Sequence, residues 1–347
     1  MNAKLRVLYL FVKRVFLLLA EPCLKMYYQA QKGGAMFIEN NCCPRRRWGK
    51  TELSIPVVPF GTQGFGDNFG PVTNEEAMAL MRRAVDLGVN HFDCARCYGN
   101  SLAKLAGALK EGVIARDEVI ISGRVCCHSG AEWGGYGEGQ PDYSAVHALA
   151  DVEDQLGVLG IEKFDVLFVH DPPEIEPTLV SGGVLEGLET ARERGLVDFI
   201  GYGMNPHEFH LAHIESGRTD ALLCFSDYNL LRQSAADDIL PAAKAADLGV
   251  LNGWSIMRGW LTGTPVESFV PREKWGEDQE RAEAMRLWCE EQGIEMLELT
   301  MQFCLREERI HGNPVGSLNI EQLEKNVAAA MASVADETIE DFKAAGL

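Results

Sequence analysis

From Arg45 onward, short apolar runs alternate with stretches of helical periodicity, and this alternation restricts the fold more than any other feature of the chain. The strand candidates are HFDCA, DEVIISGRV, FDVLFVH, VDFIGYG, ALLCFS and GVLNGWS, preceded by a strand running into the glycines of PFGTQGFG and followed by HGNPVGS. Between them lie helical stretches such as NEEAMALMRRAVDLG, which stops at Gly88, SAVHALADVEDQLGVLG, SAADDILPAAKAADLG and QERAEAMRLWCEEQG. EQLEKNVAAAMASV and ETIEDFKAAG close the chain as helices. Apolar strands separated by helices imply a parallel sheet covered on its outer face by helices. Eight such strands fit a closed barrel better than a doubly wound sheet, and no GxGxxG opens a first strand–helix unit. GTQGFG is glycine-rich but runs into a loop containing Pro71. RRRWGKTELSIP reads as a hairpin around Gly49-Lys50. The expected fold is therefore α/β, one (β/α)8 TIM barrel over residues 45–347 with an N-terminal β-hairpin.

The chain ahead of Arg45 is of a different kind. KLRVLYLFVKRVFLLLA has a basic start and an apolar run, but Lys13 and Arg14 interrupt it and leave neither half long enough to span a bilayer. Ala20-Glu21-Pro22 is a poor cleavage site, and Met26 and Met36 offer later starts. Residues 1–44 are expected to be an appendage, an upstream mis-start rather than an interfacial anchor. A formal net charge of −19 argues against a nucleic-acid partner and for a small-molecule enzyme. The 10 cysteines include the adjacent pairs Cys42-Cys43 and Cys126-Cys127, and a chain of this size needs no staples, so reduced cytoplasmic thiols are expected.

In a barrel of this type the active site lies at the C-terminal ends of the strands. Asp93 and Tyr98 follow the second strand, Arg124 ends the third, His170 the fourth, Asn205 follows the fifth and Trp254 the seventh. Singly, each has an ordinary structural explanation: a helix cap, a core tyrosine, a satisfied strand-end histidine. Their joint placement on one rim argues for chemistry. Cys94 and Cys97, with Cys126, Cys127 and His128, would suit a zinc or redox site by their CxxC spacing.

GKTELSIPVVPFGTQGFG, GVNHFDCARCYGN, FDVLFVHDPP and VGSLNIEQLEKN together make residues 45–330 resemble an aldo-keto reductase. DYNLLRQSAADDILPAAKAADLGV and GYGMN resemble most the sugar dehydrogenases acting on L-galactose or D-threo-aldoses. The resemblance implies hydride transfer between a nicotinamide and a carbonyl or alcohol carbon of a sugar or aldehyde. It makes Tyr98 the general acid or base, His170 the residue orienting the substrate oxygen, and Asp93 the anchor of a cation. That cation is normally a lysine; here it is Arg124, which keeps the charge but cannot relay a proton. The resemblance thus already accounts for Asp93 and Tyr98 around the CxxC, and no metal is expected. Retained activity is expected, the alternative being a cofactor-binding regulatory or redox-sensing protein with little turnover. The usual serine–asparagine pair becomes Gly203-Met204, leaving Asn205 to meet the nicotinamide carboxamide. The usual stacking tyrosine becomes Gly253, leaving Trp254. Gly61, Ser317, Asn319, Gln322 and Asn326 complete the expected cofactor contacts. Gly316 and Gln322 stand where cations often meet a 2′-phosphate, so NAD is expected over NADP. The tryptophan- and tyrosine-bearing loops after the third and seventh strands would wall the pocket.

Overall fold

The computed structural model describes residues 42–67, 69–125 and 142–347. The expectations for residues 1–41 and for Cys126, Cys127 and His128 lie outside the described residues. Arg45–Arg47 (β1) and Ser54–Pro56 (β2) pair antiparallel as the N-terminal hairpin. Among the described residues, seven strands then form a parallel sheet in sequence order: β3 (Phe60–Gly61), β4 (His91–Asp93), β5 (Ile120–Val125), β6 (Phe164–His170), β7 (Val197–Met204), β8 (Ala221–Phe225) and β9 (Gly249–Gly253). Helices follow at the expected places, among them Asn74–Asp86, Ser101–Lys110, Ala145–Leu159, Val184–Glu193 and His207–Ser216. No helix among the described residues is long and apolar enough to cross a membrane.

Local chemistry sets the element boundaries. Thr73 caps the helix Asn74–Asp86 in a reciprocal box, its Oγ1 accepting from Glu76 N–H while Glu76 Oε2 accepts from Thr73 N–H at 2.8 Å. Ser144 caps Ala145–Leu159, and Gly160 at φ +65° ends it in the left-handed conformation. The strands are buried on both faces. Phe164, Val166, Leu167, Phe168 and Val169 of β6 are all at 0 % exposure, as a parallel strand between a barrel interior and a helical layer requires.

The eighth strand departs from expectation. HGNPVGS does not form a ladder strand but lies between β9 and β3, joined through isolated bridges at Gly312 to Leu251 and Val315 to Phe60. His311 N–H donates to Val250 O at 2.9 Å, Asn252 N–H to Gly312 O at 2.8 Å, Val315 N–H to Pro59 O at 3.0 Å and Gly61 N–H to Val315 O at 3.1 Å. The reason is Pro314, which has no N–H to give a ladder. The buried Asn313 side chain instead accepts from Asn252 Nδ2 at 2.9 Å. The barrel is closed by these bonds without a regular eighth strand. A second departure is SAADDILPAAKAADLG, which splits into a 3-10 turn, Ser234–Ala236, and a shorter helix, Ile239–Ala245. Asp238 sits between them with its side chain accepting from Ile239 N–H, which restarts the helix there.

The hairpin packs at the N-terminal end of the barrel. Trp48 is fully buried, 5.2 Å from the His91 ring and 6.3 Å from Phe168, within an inner cluster including Ile55, Val166, Leu223 and Leu251. Gly249 makes room for it: a Cβ there would lie 2.5 Å from Trp48 Cδ1. Lys50 N–H donates to Asp247 O at 2.6 Å and ties the hairpin turn to the start of β9. Removing the indole should therefore open a cavity beneath the barrel. Trp48→Ala is expected to lower the unfolding free energy by about 3–5 kcal/mol, measured by urea denaturation followed by circular dichroism. A loss under about 1 kcal/mol would mean that the hairpin does not seal the core.

Candidate active site

Asp93 is the last residue of β4, in register with Gly61 on one side and Ser122 on the other. Two residues beyond Ser122 on the same face of β5 stands Arg124. Its guanidinium meets Asp93 as a fork, Nη1 to Oδ1 at 3.0 Å and Nη2 to Oδ2 at 2.7 Å, and Nη1 also donates to Cys94 O at 2.9 Å. The pair is almost wholly buried, with Asp93 at 4 % and Arg124 at 3 % exposure. Burial disfavours the Arg124 cation, but Asp93 and Tyr98 more than offset it and hold its pKa above the usual arginine value. Gln155 Nε2 donates to Arg124 O at 2.9 Å and fixes the strand end.

A second layer orients Asp93. Ser122 Oγ donates to Asp93 Oδ1 at 2.8 Å, so it accepts from His91 Nε2, which lies at 2.9 Å. Burial pushes the His91 imidazole down to about 4, which keeps it neutral at physiological pH. Thr62 Oγ1 donates to the Asp93 carbonyl at 3.1 Å and accepts from Ser101 Oγ at 2.7 Å.

Tyr98 sits in the loop after β4. Its backbone lies against Gly66, where a Cβ would collide with the Tyr98 carbonyl, and Gly99 follows at φ +54°. This contact accounts for a glycine of GTQGFG: close approach of two loops, not phosphate binding. The Tyr98 ring is 5.4 Å from Arg124 Cζ and edge-on to the His170 ring at 6.2 Å. Burial raises the Tyr98 phenol well above its ordinary value and the Arg124 cation pulls it back down. His170 ends β6; Tyr143 donates its hydroxyl to the His170 carbonyl at 2.9 Å, and Cys97 Sγ lies 3.6 Å from Nδ1. Asp93, Tyr98, Arg124 and His170 thus come together at one mouth of the barrel. A phenol, a fixed cation and an imidazole at this spacing can give a proton to, and take one from, an oxygen held between them.

Ser122, Tyr143, Gln155 and His91 escaped the sequence reading. Only Ser122 left a signal, a polar residue two positions before Arg124 in a β-branched run. The two cysteines of the CxxC turn to different partners, Cys94 to Ser122 O at 3.2 Å and Cys97 to His170. Among the described residues no group of three His, Cys, Asp or Glu side chains could hold a metal ion.

The residues expected to meet a dinucleotide lie along the same rim. Asn205 donates through Nδ2 to Phe225 O at 3.0 Å and Asp227 Oδ2 at 3.1 Å, which turns its Oδ1 into the acceptor left for an amide N–H. Trp254 follows β9 at φ +59°, with Phe225 at 5.3 Å and the Arg258 guanidinium 4.0 Å from its ring centroid. Gly61 and Gly316 face each other where β3 meets the closing segment. Ser317 is buried and accepts from Asn326 Nδ2 at 3.1 Å. Asn319 caps the helix Ile320–Met331 by accepting from Gln322 N–H at 2.9 Å, while Gln322 Oε1 accepts from Leu318 N–H at 2.8 Å. An amide acceptor, a half-buried indole and a capped helix N-terminus fit a nicotinamide dinucleotide. Lys325, the nearest cation in this segment, pairs with Glu321 at 2.8 Å.

The Aldo/keto reductase family model matches residues 58–346. The chain is 28% identical over 289 residues to L-galactose dehydrogenase of Arabidopsis thaliana, covering 82% of this chain and 87% of that protein. It is 25% identical over 309 residues to D-threo-aldose 1-dehydrogenase of a Pseudomonas species, covering 80% and 90%. A solved aldo-keto reductase structure from Pseudomonas aeruginosa superposes with a TM-score of 0.63 at 22% identity, over 82% of this chain and 93% of that one, and shares the fold. The chain belongs to the aldo/keto reductase family and is an oxidoreductase acting between alcohol and carbonyl groups.

Proposed function

We propose that the chain interconverts the alcohol and carbonyl forms of a sugar or related aldehyde, with Tyr98 exchanging the proton on oxygen and NAD as the cofactor. The observation that carries this reading is the convergence of Tyr98 and His170 beside the buried Asp93–Arg124 pair. Members of the family generally use NAD(P)H, and the bound nicotinamide supplies or accepts the hydride. The protein's own residues handle the oxygen. His170 holds and orients it. Tyr98 protonates it in reduction and takes its proton in oxidation. Arg124 stays charged throughout and acts only through its field, because a guanidinium does not give up its proton at these pH values. Asn205, Trp254, Gly61, Ser317, Asn319, Gln322 and Asn326 would hold the dinucleotide. The sugar-dehydrogenase names of the relatives support the substrate class.

If Tyr98 is the proton-exchanging group, Tyr98→Phe should lower kcat by about 10²–10⁴-fold while the cofactor Kd changes less than about twofold. Steady-state turnover and a fluorescence titration of cofactor would establish this. A variant that keeps full turnover would remove Tyr98 from the role, and cofactor binding without turnover in the unmodified protein would favour a regulatory function.

The preference for NAD rests on charge. Gly316 offers no side chain, Gln322 spends its carbonyl on Leu318, and Lys325 is paired with Glu321. A 2′-phosphate would find no compensating cation from these residues. The unmodified protein is expected to bind NAD more tightly than NADP, and Gln322→Arg should improve NADP affinity by about ten- to a hundredfold. The same variant should lose a little thermal stability, since arginine cannot accept from Leu318 N–H. An unmodified protein already tenfold tighter on NADP would show that another basic group reaches the phosphate.

A further inference from the structure

Asp171 follows His170 directly, and its N–H donates to Gly203 O at 3.0 Å, carrying the β6–β7 ladder one residue past the histidine. Successive residues of a strand point to opposite faces, so Asp171 would ordinarily turn away from the site. It does not. Its backbone sits at φ +39°, in the left-handed region that non-glycine residues seldom occupy. This break brings both side chains to the same mouth, with Asp171 Oδ2 3.5 Å from His170 Nε2 and the carboxylate 44% exposed. Its charge also reaches Tyr98, whose phenol it helps to push up. A strained residue that aims an open carboxylate at the nitrogen meant for the substrate oxygen is not explained by packing.

We propose that Asp171 is a substrate-binding residue that accepts a hydrogen bond from a hydroxyl on the carbon next to the reacting one. The proposal rests on the reading of Tyr98 and His170 as the pair that holds the reacting oxygen. An ionised carboxylate only accepts hydrogen bonds, so it cannot hold a carbonyl oxygen, which has no proton to give. The neighbouring hydroxyl of an aldose does have one. With one oxygen at His170 Nε2, that hydroxyl falls about one hydrogen-bond length away, where Asp171 stands. The bond is charge-assisted, and the same negative charge disfavours substrates that carry a phosphate or carboxylate near the reacting carbon. The site is thus selective for neutral α-hydroxylated aldehydes and their ring forms over hydroxyl-free aldehydes.

The test compares NAD-dependent oxidation of L-galactose with that of 2-deoxy-L-galactose, which lacks only the hydroxyl in question. The unmodified protein is expected to favour the parent sugar by about ten- to a hundredfold in kcat/KM. Asp171→Asn, whose residue tolerates the left-handed backbone, should shrink that preference to about threefold or less, at a melting temperature close to that of the unmodified protein. Comparable rates on both sugars in the unmodified protein overturn the proposal. So does a preference that Asp171→Asn leaves unmoved, including a uniform loss on both. Oxidation of neither sugar by the unmodified protein overturns the oxygen-binding reading itself, and this proposal with it.

Discussion

The buried ion pair between Asp93 and Arg124 is the interaction on which the rest of the site depends. Two charges taken out of water cost several kcal/mol each unless geometry and further hydrogen bonds compensate. Here they do: two forked bonds, a third to the Cys94 carbonyl, and the Ser122 hydroxyl on Asp93 Oδ1. Arginine fits this place because its planar fork matches both carboxylate oxygens at once, which the point charge of a lysine does not. The consequence is a cation that cannot move and cannot deprotonate, fixed 5.4 Å from the ring of Tyr98. Arg124 therefore places a fixed positive field at the phenol and has no proton to exchange.

The barrel keeps these groups in register. Asp93 and Arg124 belong to adjacent strands, and His170 to the next, so the pairing of β4, β5 and β6 sets their spacing before any loop contributes. The loop residue, Tyr98, is pinned from outside by the close approach of Gly66. At the other end of the barrel, Trp48 fills the base, and the segment around Gly312 and Val315 closes the circle between β9 and β3. Packing at the base and candidate chemistry at the rim follow the usual division of labour in such barrels.

Much of this was legible in the sequence, because period and polarity carry it. FDVLFVH is too uniformly apolar for a surface strand, and NEEAMALMRRAVDLG has a helical stripe with a cap and a stop. The gathering of Asp93, Arg124 and His170 at one mouth follows from their places at or near strand ends, with Tyr98 in the loop just beyond Asp93. What was not legible depends on contacts between distant segments. Pro314 denied HGNPVGS a ladder, yet the bonds to Val250, Pro59 and Asn252 close the barrel anyway. Gln155 and Tyr143 act through strand-end carbonyls, which no side-chain pattern advertises. The left-handed turn at Asp171, which overrides strand alternation, has no signature in the residues VHDPP.

The most direct measurement of the account is the pH dependence of kcat/KM for alcohol oxidation, compared between the unmodified protein and Asp93→Asn. Burial holds the Tyr98 phenol above its ordinary value, so the phenolate that would accept the proton under the proposed function becomes available only as pH rises. Oxidation should climb by up to about tenfold per pH unit through the neutral and mildly alkaline range. Asp93 raises the phenol further, against the Arg124 cation that lowers it. Neutralising Asp93 leaves the cation uncompensated, so the rising limb should move to lower pH in Asp93→Asn, whatever its amplitude. A limb that stays in place, or moves to higher pH, would contradict the claim that the buried pair sets the proton affinity of Tyr98.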